Sequence, residues 1–175
     1  EILIGLVGSE MCIRDSSGIN SIKDLNNKNV AVTSGTTAVA LLKKFEKDNG
    51  IKIRYLMTKD FAESMQLVAK KRAAAFVIDD VLLAGQISNL PNPQDFKIVD
   101  ASLSVEPYAP MFAKDDPAFK ALVDKTIVGM MKDGTLDKLY KKWFESPIPP
   151  KNANLNFPMN SVTKELFANP NSDGI

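Results

Sequence analysis

Val30-Ala-Val-Thr-Ser-Gly-Thr-Thr37 reads as a buried strand, a glycine turn and a helix start in immediate succession. A second stretch, Ala73-Ala-Ala-Phe-Val-Ile-Asp-Asp80, repeats the theme: a short apolar strand that stops abruptly at two carboxylates. Outward from these the chain alternates. A helical turn at Ser21–Leu25 leads into the strand Val30–Thr33. A helix opens after the 35–37 turn, with Ala38, Leu41, Leu42 and Phe45 on one face, and Gly50 closes it. Ile51–Leu56 alternates apolar and polar residues as a strand does. Asp60 with Glu63 resembles a capping box for a helix striped by Phe61, Met65 and Val68. A further helix spans about Val81–Ser88, and Phe96–Val99 and Ser104–Phe112 are strand candidates. Strands interleaved with helices predict an α/β fold with a mostly parallel sheet and right-handed crossovers. After Phe112 the pattern turns helical: Asp116-Pro117 caps a helix running to about Met131, and Thr135–Phe144 is another, ended by Ser-Pro-Ile-Pro-Pro150. A short helix is expected near Val162–Phe167.

Composition removes much chemistry. The chain has 175 residues, 45% hydrophobic and 25% charged, the profile of an ordinary globular domain with a core. With 22 basic against 21 acidic side chains there is no general pull on nucleic acid or anionic lipid, and no nucleic-acid partner is expected. No histidine is present, which excludes imidazole acid–base catalysis, Ser-His-Asp triads and histidine metal sites. A single cysteine, Cys12, can form neither an internal disulfide nor a zinc cluster. Neither cofactor nor metal is predicted.

Two places carry binding chemistry. At Ser34-Gly35-Thr36-Thr37 the unsatisfied N–H groups of a helix start, its dipole and three hydroxyls suit a carboxylate or a phosphate. The loop lacks the Gly-Lys-Ser/Thr ending of a triphosphate loop and the dinucleotide fingerprint. A self-satisfied helix cap remains the plain alternative. Asp79-Asp80 stands at the carboxyl end of a strand, the edge where open α/β sheets bind ligands, and a carboxylate there suits an ammonium group. A doubled helix cap is the alternative. Taken together, a donor turn for a carboxylate and an aspartate for an amine describe an α-amino acid pocket.

The first sixteen residues read differently from the rest. Leu6–Ser16, LVGSEMCIRDS, resembles the conceptual translation of a transposase adapter used in building sequencing libraries, with MCIRDS as its core. Residues 1–16 are therefore expected to be an artefactual segment, with a natural short β-strand and loop as the plain alternative, and the genuine protein to begin near Ser17 or Gly18.

From Gly18 to Pro170 the chain resembles the C-terminal part of the periplasmic solute-binding proteins for polar amino acids, nearest the glutamate/aspartate receptors of ABC importers. The segments that carry the resemblance are IKDLNNKNVAVTSGTT, KRAAAFVIDDVLLAG, EPYAPMFAKDDPAFK and KWFESPIPPKNANLNF. The resemblance implies a type II periplasmic-binding-protein fold: two α/β lobes on a two-strand hinge, closing on the ligand. Residues 17–108 would be the second, ligand-binding lobe. Residues 109–175 would be the strand return and C-terminal helices, which belong partly to a missing first lobe. It assigns Thr36 and Thr37 to the ligand α-carboxylate and Asp79 to its ammonium, and places Glu106-Pro-Tyr108 on the returning strand. Trp143 would pack on the first lobe. It further implies periplasmic localisation, ABC permease subunits as partners and a monomer when intact. In this branch histidine occupies the position of Phe61, and a phenylalanine cannot donate to a side-chain carboxylate; Phe61 reads equally as a core residue of its helix. The implied function is binding of an acidic or polar L-amino acid for import. The rivals are a dehydratase-like enzyme on the same fold, for which only Asp79, Asp80 and Glu106 offer titrating groups, and a partner-dependent half-receptor.

Overall fold

The computed structural model describes residues 5–99, 102–150 and 152–170. It divides into two compact units, Gly8–Val105 on one side and residues 1–7 with 106–175 on the other. The first unit holds the sheet. Its strands are β1 (Gly5–Arg14, which starts in the other unit), β2 (Asn29–Thr33), β3 (Arg54–Thr58), β4 (Ala75–Asp79) and β5 (Phe96–Val99), in the order β3-β2-β4-β1-β5. β2 runs parallel to both β3 and β4, whereas β1 runs antiparallel to β4 and β5. β1 alone among these opposes the common direction, so the expected mostly parallel α/β sheet is what the chain forms. A last strand, β6 (Val105–Tyr108), pairs with β1 off that path.

Helices α1 (Ala38–Asn49), α2 (Phe61–Ala69) and α3 (Asp80–Ser88) connect the strands. Successive side chains of a strand face opposite sides, and the core follows that period. Met11, Ile13, Val30, Val32, Ala75 and Val77 pack on one face with Ala38 and Leu42 of α1. Cys12, Ala31, Phe76 and Ile78 pack on the other with Met65, Val68 and Leu83 from α2 and α3. Central strands buried on both faces need apolar residues at consecutive positions, which β2 and β4 supply.

Gly5–Arg14, set apart above for its likeness to an adapter translation, is thus seated as a strand between β4 and β5. Met11, Cys12 and Ile13 are fully buried there. Burial pushes the Cys12 thiol up to about 12, so it stays protonated and acts as a small apolar side chain. Two strand boundaries differ from expectation. The strand predicted at 51–56 forms at Arg54–Thr58, because Gly50 ends α1 in the left-handed region and Ile51 still bonds back to Glu46. The strand predicted at 104–112 is confined to Val105–Tyr108; Pro110 has no N–H to extend a ladder.

The second unit holds α4 (Pro117–Lys132), α5 (Thr135–Phe144) and α6 (Ser161–Ala168). Asp116 caps α4 by accepting from the Phe119 N–H at 2.8 Å, with Pro117 at the first helical position. Asn160 caps α6 through the Thr163 N–H at 2.7 Å. Met131, Met159 and Phe167 form its small core with Ile127, Leu136 and Tyr140 around them.

Candidate ligand-binding site

The chain leaves β2 for β3 on one side and later lays β4 on the other. Connections that depart to opposite sides of neighbouring strands leave a crevice at their carboxyl ends. β2 and β4 pair Val30 with Ala75 and Ala31 with Phe76; continuing that register sets Ser34 level with Asp79. The two sequence-selected stretches therefore meet at one sheet edge.

On the β2 side, the Ser34 N–H donates to the Thr58 carbonyl at 3.0 Å, which holds the turn to β3. Gly35 takes φ +82°, a conformation open to glycine at little cost and strained for other residues. The Thr36 hydroxyl donates to the Thr33 carbonyl at 2.8 Å, so its proton is engaged in closing the turn. Ser34, Gly35 and Thr37 are exposed and Thr36 is half-buried. Thr37 occupies the cap position of α1 without a side-chain capping hydrogen bond, and the Thr36 N–H closes on the Thr33 carbonyl at 3.4 Å.

Beneath the turn lies a group that sequence reasoning missed. Thr33, Thr58 and Ser64 are buried. Ser64 Oγ is 3.1 Å from Thr33 Oγ1 and 2.5 Å from Thr58 Oγ1, and Thr58 Oγ1 also reaches the Val32 and Asp60 carbonyls at 3.3 and 3.2 Å. These hydroxyls lace the ends of β2 and β3 to the first turn of α2. The available signal was positional: Thr33 and Thr58 each end an apolar run, and they pair directly in the ladder.

On the β4 side the two aspartates divide. Asp79 is half-buried at the cap position of α3, again without a side-chain capping bond. Asp80 is buried; its carboxylate accepts the Val81 N–H at 2.6 Å and also the Gly8 N–H. Burial raises its carboxyl above the ordinary range, those two N–H groups pull it back, and the neighbouring Asp79 charge raises it further. Across β1, Ser9 stands opposite Asp79 and is buried.

Phe61 opens α2, whose cap is Asp60, accepting the Glu63 N–H at 2.8 Å, while Glu63 accepts the Lys59 N–H at 2.9 Å. Its ring lies against Phe76 with centroids 6.4 Å apart, half-buried on the apolar cluster. Glu106 is on β6, and its side chain lies outside the described residues. Among the described residues no three His, Cys, Asp or Glu side chains gather to hold a metal ion, and no helix is long and apolar enough to cross a membrane.

A family model of known proteins matches residues 20–146, a span that includes the Ser34–Thr37 turn and Asp79. The chain belongs to the bacterial extracellular solute-binding proteins, family 3. Among curated members of this family, the glutamate/aspartate import solute-binding protein of Escherichia coli (strain K12) is 38% identical over 172 residues, covering 98% of this chain and 57% of that protein. The L-glutamate/L-aspartate-binding protein of Pseudomonas aeruginosa is 40% identical over 164 residues, 94% of this chain and 54% of that one. The chain thus spans about half the length of the curated relatives it matches. Among solved structures, an ancestral arginine-binding protein bound to arginine superposes with a TM-score of 0.66 at 31% identity, covering 81% of this chain and 62% of that one. The amino-acid ABC transporter extracellular-binding protein YtmK of Bacillus subtilis superposes at 0.72, with 23% identity over 82% of this chain and 62% of that one, which bears on the fold alone. The relatives matched in this family are named as binding proteins rather than enzymes.

Proposed function

We propose that this chain is the second-lobe half of a substrate-binding component of an ABC amino-acid importer. It would take an acidic or polar L-amino acid, glutamate or aspartate first, and hand it to permease subunits at the membrane from the periplasm. The observation that carries the reading is the register that brings the Ser34–Thr37 turn level with Asp79. The first-turn N–H groups of α1, presented by the turn, receive the α-carboxylate, and Asp79 pairs with the ammonium. Because the Thr36 hydroxyl and N–H both close on the Thr33 carbonyl, Thr36 serves through the shape of the turn, and Thr37 faces the carboxylate from the start of α1. Phe61, on the apolar cluster, contributes shape rather than a hydrogen bond to a ligand side chain. No general acid or base is assigned: Asp80 is tied to two backbone N–H groups, and Asp79 serves as a counter-charge.

Two features support a lobe boundary near Glu106. The units meet in sequence at Val7–Gly8 and Val105–Glu106, so the chain crosses between them twice, as a two-strand hinge does. Helices α4 and α5 leave Phe119, Leu122, Leu139 and Trp143 substantially exposed, the surface a first lobe would cover. For residues 6–16 we propose that the fold requires a strand in this slot and that the present residues are foreign to it.

The experiment is resequencing of the source DNA across Ser16–Ser17, then calorimetry with L-glutamate, L-aspartate and L-leucine on the full reading frame, with Asp79→Asn beside it. Binding of the acidic ligands, lost in Asp79→Asn, supports the proposal. An intact protein that binds none of them, or binds equally without the Asp79 charge, overturns it.

A further inference from the structure

The opposite edge of the sheet carries a second concavity. The amino ends of β2, β3 and β4 and the end of the antiparallel β1 converge there, around an open cavity of about 450 Å³. A five-residue strand separates it from the amino-acid edge, roughly 15 Å at ~3.3 Å per residue. Five cationic side chains line it, Arg14, Lys28, Arg54, Lys71 and Arg72, and no carboxylate is among its described lining residues. Arg14 is engaged elsewhere, its Nη1 donating to the Ala69 carbonyl at 3.2 Å and its guanidinium lying over the Phe96 ring with Asp95 at 3.7 Å, and it belongs to the segment proposed above as foreign, so the site rests on the other four. Lys28, Arg54, Lys71 and Arg72 form no ion pair among the described residues. In a chain with 22 basic and 21 acidic side chains, such a segregation of charge is local.

The backbone adds an independent observation. α2 ends with the Lys71 N–H on the Val68 carbonyl and the Arg72 N–H on the Leu67 carbonyl, the paired bonds of a Schellman ending. The left-handed position in that motif favours glycine, yet here it is Lys71 at φ 60°. Asn27, on the same cavity, is also left-handed at φ 59°. A cation thus stands where the backbone would favour glycine. The dipole of α2 accounts for lysine and arginine at its C-terminus, but not for Lys28 and Arg54, which come from β2's approach and from β3.

We infer that this edge is a binding site for a multiply charged phosphate-type oxyanion, separate from the amino-acid site. Arginine forks match two oxygens of such a group, and lysines add point charge. Lys28, Arg54, Lys71 and Arg72 are exposed, so binding is salt-sensitive and modest. The oxyanion is supplied either as a free phosphate or as an anionic lipid headgroup.

The test titrates the whole chain with inorganic pyrophosphate at fixed ionic strength, and sediments it with vesicles of phosphatidylglycerol or of phosphatidylcholine. Arg54→Ala with Arg72→Ala is expected to weaken pyrophosphate binding about tenfold or more. Lys71→Gly is expected to weaken it by about two- to fivefold while raising the melting temperature, since it relieves the left-handed strain; a merely structural lysine would not move the two readouts in opposite senses. Lys141→Ala with Lys142→Ala, remote in sequence on α5, removes equal charge and is expected to leave binding unchanged. Binding to pyrophosphate alone identifies a free anion. Added binding to phosphatidylglycerol vesicles that depends on Arg54 and Arg72 identifies a headgroup. Absence of pyrophosphate binding, or equal loss in the α5 pair, overturns the inference.

Discussion

Asp79 and Asp80 are adjacent, carry the same group, and do different things. Asp80 is turned into the protein and held by the Val81 and Gly8 N–H groups, while Asp79 stays half-exposed at the sheet edge. The consequence for ligand binding falls on Asp79. Saturating L-glutamate at millimolar concentration is expected to shift the amide resonances of Gly35–Ala38 and Asp79–Val81 in this chain, and Asp79→Asn is expected to weaken that response by about 10- to 100-fold, the worth of one charge-assisted hydrogen bond. Equal titration curves for the two proteins would remove Asp79 from the site. The consequence for stability falls on Asp80. Burial raises its carboxyl above the ordinary value near 3.8, so between that value and the raised one the folded chain binds more protons than the unfolded. Stability contributed by this group is therefore present at low pH and lost as pH rises through the window. Asp80→Asn has no such proton to lose. Urea midpoints measured in steps upward from about pH 4 are expected to fall less for Asp80→Asn than for the parent, and parallel curves would count against the burial argument.

At the scale of elements, the turn after β2 depends on what lies beneath it. Ser64 sits in α2 yet bonds to threonines of two strands. Removing its hydroxyl leaves buried oxygens short of partners, so Ser64→Ala is expected to cost about 1–2 kcal/mol in urea unfolding. Gly35→Ala meets no steric neighbour, since a Cβ there has open space around it, but its φ of +82° is costly for alanine; about 1 kcal/mol is expected. A Gly35→Ala protein as stable as the parent would mean that the turn had changed shape. Elements with strong local punctuation were legible in the sequence. α1 begins after the glycine turn and ends at Gly50, α2 starts at Asp60, α4 follows Asp116-Pro117, and each lies where those residues place it. β1 was not legible. Gly8, Ser9 and Glu10 interrupt its period, and only Met11–Ile13 announces burial; the slot between β4 and β5 is a demand of the whole sheet, invisible to a local window. The candidate site divides the same way. The Gly35 turn and Asp79 carry their chemistry in their own residue types, whereas the Thr33–Thr58–Ser64 cluster exists only once β2, β3 and α2 have been brought together.

On the scale of the whole molecule, the surface of the helical unit sets the behaviour of the isolated chain. Met111 is 91% exposed, Leu122 60% and Phe119 47%, and Trp143 on α5 is 46% exposed with Lys142 4.9 Å from its ring. α5 has no fully buried residue, only Leu136 and Tyr140 packing half-buried on the unit's small core, although an amphipathic helix normally buries its apolar face. Exposed apolar residues in such density mark a surface made for contact. In a solution of this chain alone, the surface available to that face is that of another copy. The chain is expected to self-associate as its concentration rises from about 1 to 100 µM, seen as a growing weight-average mass by sedimentation. Leu122→Lys with Trp143→Gln is expected to reduce that association while leaving the sheet unit's unfolding midpoint unchanged, because both residues lie in the other unit. The full reading frame is expected to be monomeric at the same concentrations without either substitution, its first lobe covering the face. If the isolated chain is monodisperse throughout and binds glutamate at micromolar concentration, the helical face needs no partner and the ligand needs no second lobe, and the half-receptor would stand as a complete binding protein.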